Sequence, residues 1–113
     1  MNIAKLEKEL KEKCTVNDLD KFISNFRNYL LKKYYRVNKL EIYKLRFISD
    51  KNTIYIIRNN NIVGYINIYM TEENKLQTYL IKIFDEVSEK CTSYKTIIKK
   101  LDEYLIKVQR IDK

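Results

Sequence analysis

Residues 40–70, LEIYKLRFISDKNTIYIIRNNNIVGYINIYM, decide the fold. Within them 40–48 (LEIYKLRFI) alternates apolar and polar, 53–58 (TIYIIR) is β-branched and aromatic, and 62–70 (IVGYINIYM) alternates again. A strand sends successive side chains to opposite faces, and Ile, Thr and Tyr suit its half-buried surface, so each stretch predicts a strand. The connectors Ser49-Asp50-Lys51-Asn52 and Asn59-Asn60-Asn61 are short and built from residues that tolerate turn geometry. A three-stranded antiparallel meander is expected.

On either side the period changes from 2 to 3.6. Residues 3–13 carry a thin apolar stripe of Ile3, Leu6 and Leu10, which predicts a surface helix. Thr15 or Asn17 can accept from the free N–H groups of a second helix running to about Val37, with Leu19, Phe22, Ile23, Phe26, Tyr29, Leu30 and Tyr34 inward. After the meander, Thr71 is positioned to cap a third helix with Leu76, Tyr79, Leu80, Ile83, Phe84 and Val87 on its apolar face. Cys91-Thr92-Ser93 ends it, and a fourth helix turns Tyr94, Ile97, Ile98, Leu101, Leu105 and Val108 inward. The predicted fold is α+β in the order ααβββαα, the meander packed with two helical hairpins. An internal echo suits two hairpins, because Glu12-Lys13-Cys14-Thr15 recurs as Glu89-Lys90-Cys91-Thr92 at the bend expected in each.

A chain of 113 residues has the size of one domain, 1–113, around one core. No apolar run approaches the roughly 18–20 residues that span a bilayer, and Met1-Asn2-Ile3-Ala4-Lys5 opens no basic-then-apolar leader, so a cytoplasmic protein is expected. Cys14 and Cys91 are too few for a disulfide framework and, with no histidine present, do not suggest zinc. They read as small hydrophobes at helix ends, with a bridge between them as the alternative.

Absences narrow the chemistry further. Without histidine, His-dependent triads and most zinc hydrolases are excluded, and a single glycine, Gly64, cannot build glycine-rich phosphate cradles. A carboxylate metal site fails as well: Glu41 and Lys44 lie three apart on a predicted strand and face opposite ways, and Asp50 falls in a turn. No catalytic residue, metal or cofactor is therefore assigned. Residues 54–69, IYIIRNNNIVGYINIY, are similar to the second and third strands of the GNAT acetyltransferase superfamily. That resemblance implies an acetyl-CoA site on a glycine-bearing loop after the next strand. Residues 71–113 hold no glycine, so an active acetyltransferase is not expected.

The net charge of +8 invites an anionic partner. Lys, Ile, Asn and Tyr, all with AT-rich codons, dominate the composition, so only the placement of charge is informative. Arg27, Lys32, Lys33, Arg36, Lys39, Lys44, Arg46, Lys51 and Arg58 are opposed within 27–58 only by Glu41 and Asp50, nine cations against two acids. Four of the nine are arginines, out of five in the chain, which codon drift toward lysine does not explain. If Tyr43, Leu45 and Phe47 face the core, Lys44 and Arg46 face away, as do Tyr65, Asn67 and Tyr69 if Ile66, Ile68 and Met70 point inward. One sheet face would then join cations to tyrosines, an arrangement suited to single-stranded nucleic acid. Alternatively, four helices cover both faces, Ile42, Ile48 and Ile57 form a second buried row, and Lys32-Lys33-Tyr34-Tyr35-Arg36 is an amphipathic helix end whose cations complement the dipole. The expected function is non-enzymatic binding of nucleic acid or a nucleoprotein through Arg27, Lys32, Lys33, Arg36, Lys39, Lys44, Arg46, Arg58, Tyr65 and Tyr69. The alternative is a protein-interaction module, such as a small virus- or phage-encoded inhibitor of a host protein, with a homodimer as a further option.

Overall fold

The computed structural model describes residues 2–36, 45–84 and 86–111. Helices α1 (Ile3–Glu12) and α2 (Val16–Arg36) precede strands β1 (Leu45–Asp50), β2 (Thr53–Arg58), β3 (Asn61–Met70), β4 (Leu76–Ile83) and β5 (Glu89–Cys91), and α3 (Tyr94–Ile111) follows. The strands form one antiparallel sheet in the order β1-β2-β3-β4-β5. The α+β class and both N-terminal helices match expectation. So do the strands at 53–58 and 62–70. Residues 40–44 of the first expected strand lie outside the described residues.

Among the described residues the order is ααβββββα, with three helices and five strands where four and three were expected. The segment read as a third helix is β4 and β5. Its apolar run satisfies both periods, and sheet pairing selects period two: Tyr79, Ile81 and Ile83 are buried, while Thr78, Leu80 and Lys82 between them are partly exposed. Val87, expected inward, is 91% exposed. The tertiary reason is β3, whose second edge pairs along Gly64–Met70 and needs a partner there. Thr71 caps no helix. Its Oγ1 accepts from the Lys75 N–H, its carbonyl accepts from Asn74, and Asn74 takes a left-handed φ of 60°, which closes the β3–β4 hairpin. The second member of the echo consequently falls on β5, not between two helices, and the second hairpin does not form.

The other turns follow the residues predicted for them. Asn59 and Asn60 form a two-residue loop with φ 50° and 67°, the doubly positive geometry favoured between twisted strands. Thr15 opens α2 as a capping box: its Oγ1 accepts from the Asp18 N–H, and Asp18 Oδ2 accepts from the Thr15 N–H. These bonds from Thr15 hold the Asp18 carboxyl below its usual range.

Gly64 marks a β-bulge. Ile57 pairs with Ile62 but Ile56 pairs with Gly64, leaving Val63 as the extra residue. A Cβ on Gly64 would stand 2.4 Å from the Lys82 carbonyl oxygen, so this position holds glycine because the β4 backbone passes against it.

All three described helices pack on the same side of the sheet. Ile3 and Leu10 of α1, Phe22, Phe26 and Leu30 of α2, and Ile97, Leu101 and Leu105 of α3 share one cluster with Leu45, Phe47, Ile54, Ile56, Ile66, Ile68 and Ile81. The expectation of helices over both faces therefore fails for the described helices; of the second buried row, Ile48 is 48% exposed, Ile57 is buried, and Ile42 lies outside the described residues. Two polar links cross the layers. Tyr34 on α2 donates to Asp102 on α3 at 3.1 Å. Glu7 on α1, the one charged side chain buried among the described residues, accepts from the Tyr79 hydroxyl at 2.5 Å and from the Tyr94 N–H at 2.7 Å. It thus caps α3 from another helix.

Candidate functional site: the outer sheet face

Strand alternation gives the outer face its composition. Directly paired residues share a face, so Ile48, Tyr55, Tyr65 and Lys82 form one row across four strands. The adjacent row runs Asp50, Thr53, Asn67, Leu80 and Lys90, and Tyr69 pairs with Thr78 beyond it. At the other end Arg46 pairs with Ile57 and Ile57 with Ile62. Phe84 continues the ladder by donating its N–H to Val63. Ile48, Ile62, Tyr69 and Phe84 are four of the eight large apolar side chains left exposed among the described residues, so exposed apolar surface concentrates on this side.

The sequence-predicted residues divide between the layers. Tyr65, Tyr69 and Arg46 meet on the outer face, where Arg46 donates to Asn60 Oδ1 at 2.8 Å. Arg58 is paired with Leu45 and so lies toward the helices, half-buried. Arg27, on α2, donates from Nε to the carbonyl of Phe47 at 2.7 Å and so occupies an acceptor on the edge strand β1. Lys32 is exposed on α2, and Lys33 sits half-buried with its Nζ 6.0 Å from the Tyr34 ring centre. Lys39, Lys44 and the side chain of Arg36 lie outside the described residues.

Tyr55, Lys82 and Lys90 join this face and were not singled out from the sequence. The signal for Tyr55 was the glycine. Counting back from the Asn59-Asn60 turn without a bulge pairs Tyr55 with Gly64, whereas the bulge moves it beside Tyr65. Lys82 and Lys90 were hidden by the helical reading of their segment. Lys82 Nζ donates to the Glu86 carbonyl.

A second concavity, a cleft of about 430 Å³, lies between α3 and β4–β5. Its charges satisfy one another: Lys100 meets Glu89 at 2.7 Å and Glu103 at 3.6 Å, and Lys107 meets Glu86 at 3.1 Å. The hydrogen bond to Glu89 holds the Lys100 ammonium above its usual range. Among the described residues no cluster of three His, Cys, Asp or Glu side chains is placed to hold a metal. Cys14 and Cys91 are free and buried, and burial raises both thiols. No helix among the described residues is long and apolar enough to cross a membrane.

No protein-family model matches the chain, and neither a curated protein nor a solved structure matches it.

Proposed function

We propose that this chain is a non-catalytic binding protein whose outer sheet face engages single-stranded nucleic acid. The observation that carries the reading is the Ile48–Tyr55–Tyr65–Lys82 row, with Tyr69 two rows beyond it and Arg46 and Lys90 at the margins, on a face that no described helix covers. Tyrosine rings offer stacking surfaces to bases, and the three cations, opposed among the described residues of this face by Asp50, offer contacts to phosphates. The same cations argue against a second copy of the chain as occupant, because two such faces would bring like charges together. The loop after β4, Phe84-Asp85-Glu86-Val87-Ser88, carries two acids and no glycine, which does not suit a pyrophosphate and supports a role without acetyl transfer.

Titration of labelled single-stranded and duplex oligonucleotides against salt tests the reading. Single strands should bind at about 50 mM salt and weaken as salt rises. Tyr65→Ala should weaken binding by about 5- to 100-fold, the range measured for one stacked base. Absence of binding, insensitivity to salt, or an unaffected Tyr65→Ala variant would each reject it. The second reading, a protein partner such as the target of a small viral or phage inhibitor, draws on Ile48, Ile62 and Phe84, whose exposure suits a protein surface. Under it, Ile62→Asp and Phe84→Asp should abolish binding to the partner, which survives nuclease treatment.

A further inference from the structure

On the nucleic-acid reading above, we propose that Asn67 selects the bound base, favouring cytosine over thymine. Tyr65, Asn67 and Tyr69 stand at i, i+2 and i+4 on the outer face of β3, with steps of about 6.7 Å between them. A base stacked on either ring therefore brings its edge over the amide. Thr53, directly opposite on β2, donates its hydroxyl to Asn67 Oδ1 at 2.7 Å. With the hydroxyl donating, the amide oxygen points toward β2. On the other side the paired residue is Leu80, whose side chain has no acceptor. The Nδ2 hydrogens are thus presented as donors at the centre of the face, between two aromatic rings.

A donor in that position discriminates by base chemistry. Cytosine offers two adjacent acceptors, N3 and O2, on its pairing edge. Thymine places an N3–H there, which opposes the amide N–H and leaves only a flanking carbonyl oxygen to accept, one hydrogen bond fewer than cytosine offers. One gained or lost hydrogen bond of this kind is worth about 3- to 10-fold in affinity.

Fluorescence anisotropy with oligo(dC) and oligo(dT) of equal length, at one salt concentration and neutral pH, tests the proposal on the full chain. The wild type should prefer oligo(dC) by about 3- to 10-fold. Asn67→Ala should lose more affinity for oligo(dC) than for oligo(dT) and bring the two ligands within about twofold, because the phosphate and stacking contacts remain. Thr53→Val, which frees the amide to turn its oxygen outward, should shrink the preference while leaving Asn67 in place. A wild type without preference, or an Asn67→Ala variant that keeps it, overturns the role of Asn67 alone. Failure of the wild type to bind either ligand overturns the nucleic-acid reading as well.

Discussion

Replacing Glu7 by alanine should cost about 3 kcal/mol of stability, and the structure divides that sum. The Tyr79 hydroxyl is buried and donates to Glu7 Oε2, so its removal strands a donor that water cannot reach. A hydrogen bond to a charged acceptor contributes about 1.5–3 kcal/mol, and a stranded buried donor costs a similar amount. The Tyr94 N–H opens α3 and loses its cap, a further loss of about 1 kcal/mol. The Lys11 pair at 3.7 Å is partly exposed and adds at most about 0.5 kcal/mol. In urea, with a slope of about 1.5 kcal/mol per molar for a chain of this size, the midpoint should fall by about 2 M. Glu7→Gln keeps an oxygen able to accept both bonds and should cost only about 1 kcal/mol, mainly the lost charge at the α3 terminus. Tyr79→Phe in the Glu7→Ala background should then be nearly neutral, giving a coupling of about 1–2 kcal/mol. Additive single variants, or a Glu7→Ala loss below about 1 kcal/mol, would show that the carboxylate does not hold α1, β4 and α3 together.

The remaining predictions concern the bulge and the buried phenols. Gly64→Ala should destabilise by about 2–3 kcal/mol, since its Cβ meets backbone and not a movable side chain; a loss under about 0.5 kcal/mol in the same urea assay would mean that β4 can retreat. Burial first, then Glu7, raises the Tyr79 phenol far above its usual range, and burial first, then Asp102, raises that of Tyr34. Stability from these protonated phenols is present below the unfolded value of about 10 and is lost as pH climbs above it toward the folded values. Spectrophotometric titration should therefore find two of the ten tyrosines silent until the chain unfolds; ionisation of all ten in a chain that keeps its circular dichroism would contradict both hydrogen bonds.

What was legible followed from side chains that satisfy one period only. On α2, Phe22, Phe26, Leu30 and Tyr34 recur at helical spacing among polar neighbours, and all four are buried. On β3, Ile66 and Ile68 alternate with Tyr65, Asn67 and Tyr69, so the assignment of inner and outer faces could be made without knowing what covered either. Residues 76–84 carry apolar side chains at both spacings, and the deciding factor, an unpaired β3 edge, is a tertiary fact that no local pattern contains. The bulge was half visible. A lone glycine within a strand signals one, yet the shift that brings Tyr55 beside Tyr65 depends on Ile54 and Ile56 sharing the core face with Gly64 and Ile66.

The described members of the cation cluster between 27 and 58 do not come together in space, and this difference is measurable. Arg27 covers a carbonyl on the exposed edge of β1, a placement that blocks pairing with another strand, and Lys32 and Lys33 ride on α2, in the layer opposite the outer face. Arg46 alone of the described cations from that stretch is joined on the outer face by Lys82 and Lys90, which come from the part of the chain where charges nearly balance. Three phosphate contacts on a single strand predict a slope of log affinity against log salt of about −2, while seven, the net charge of the 27–58 stretch, predict about −5. A slope near −2 that falls toward −1 in Lys82→Ala fits a strand lying on the tyrosine face. A slope near −5, unaffected by Lys82→Ala but reduced by Lys32→Ala and Lys33→Ala, would move the contact to α2 and leave the tyrosine face to another partner.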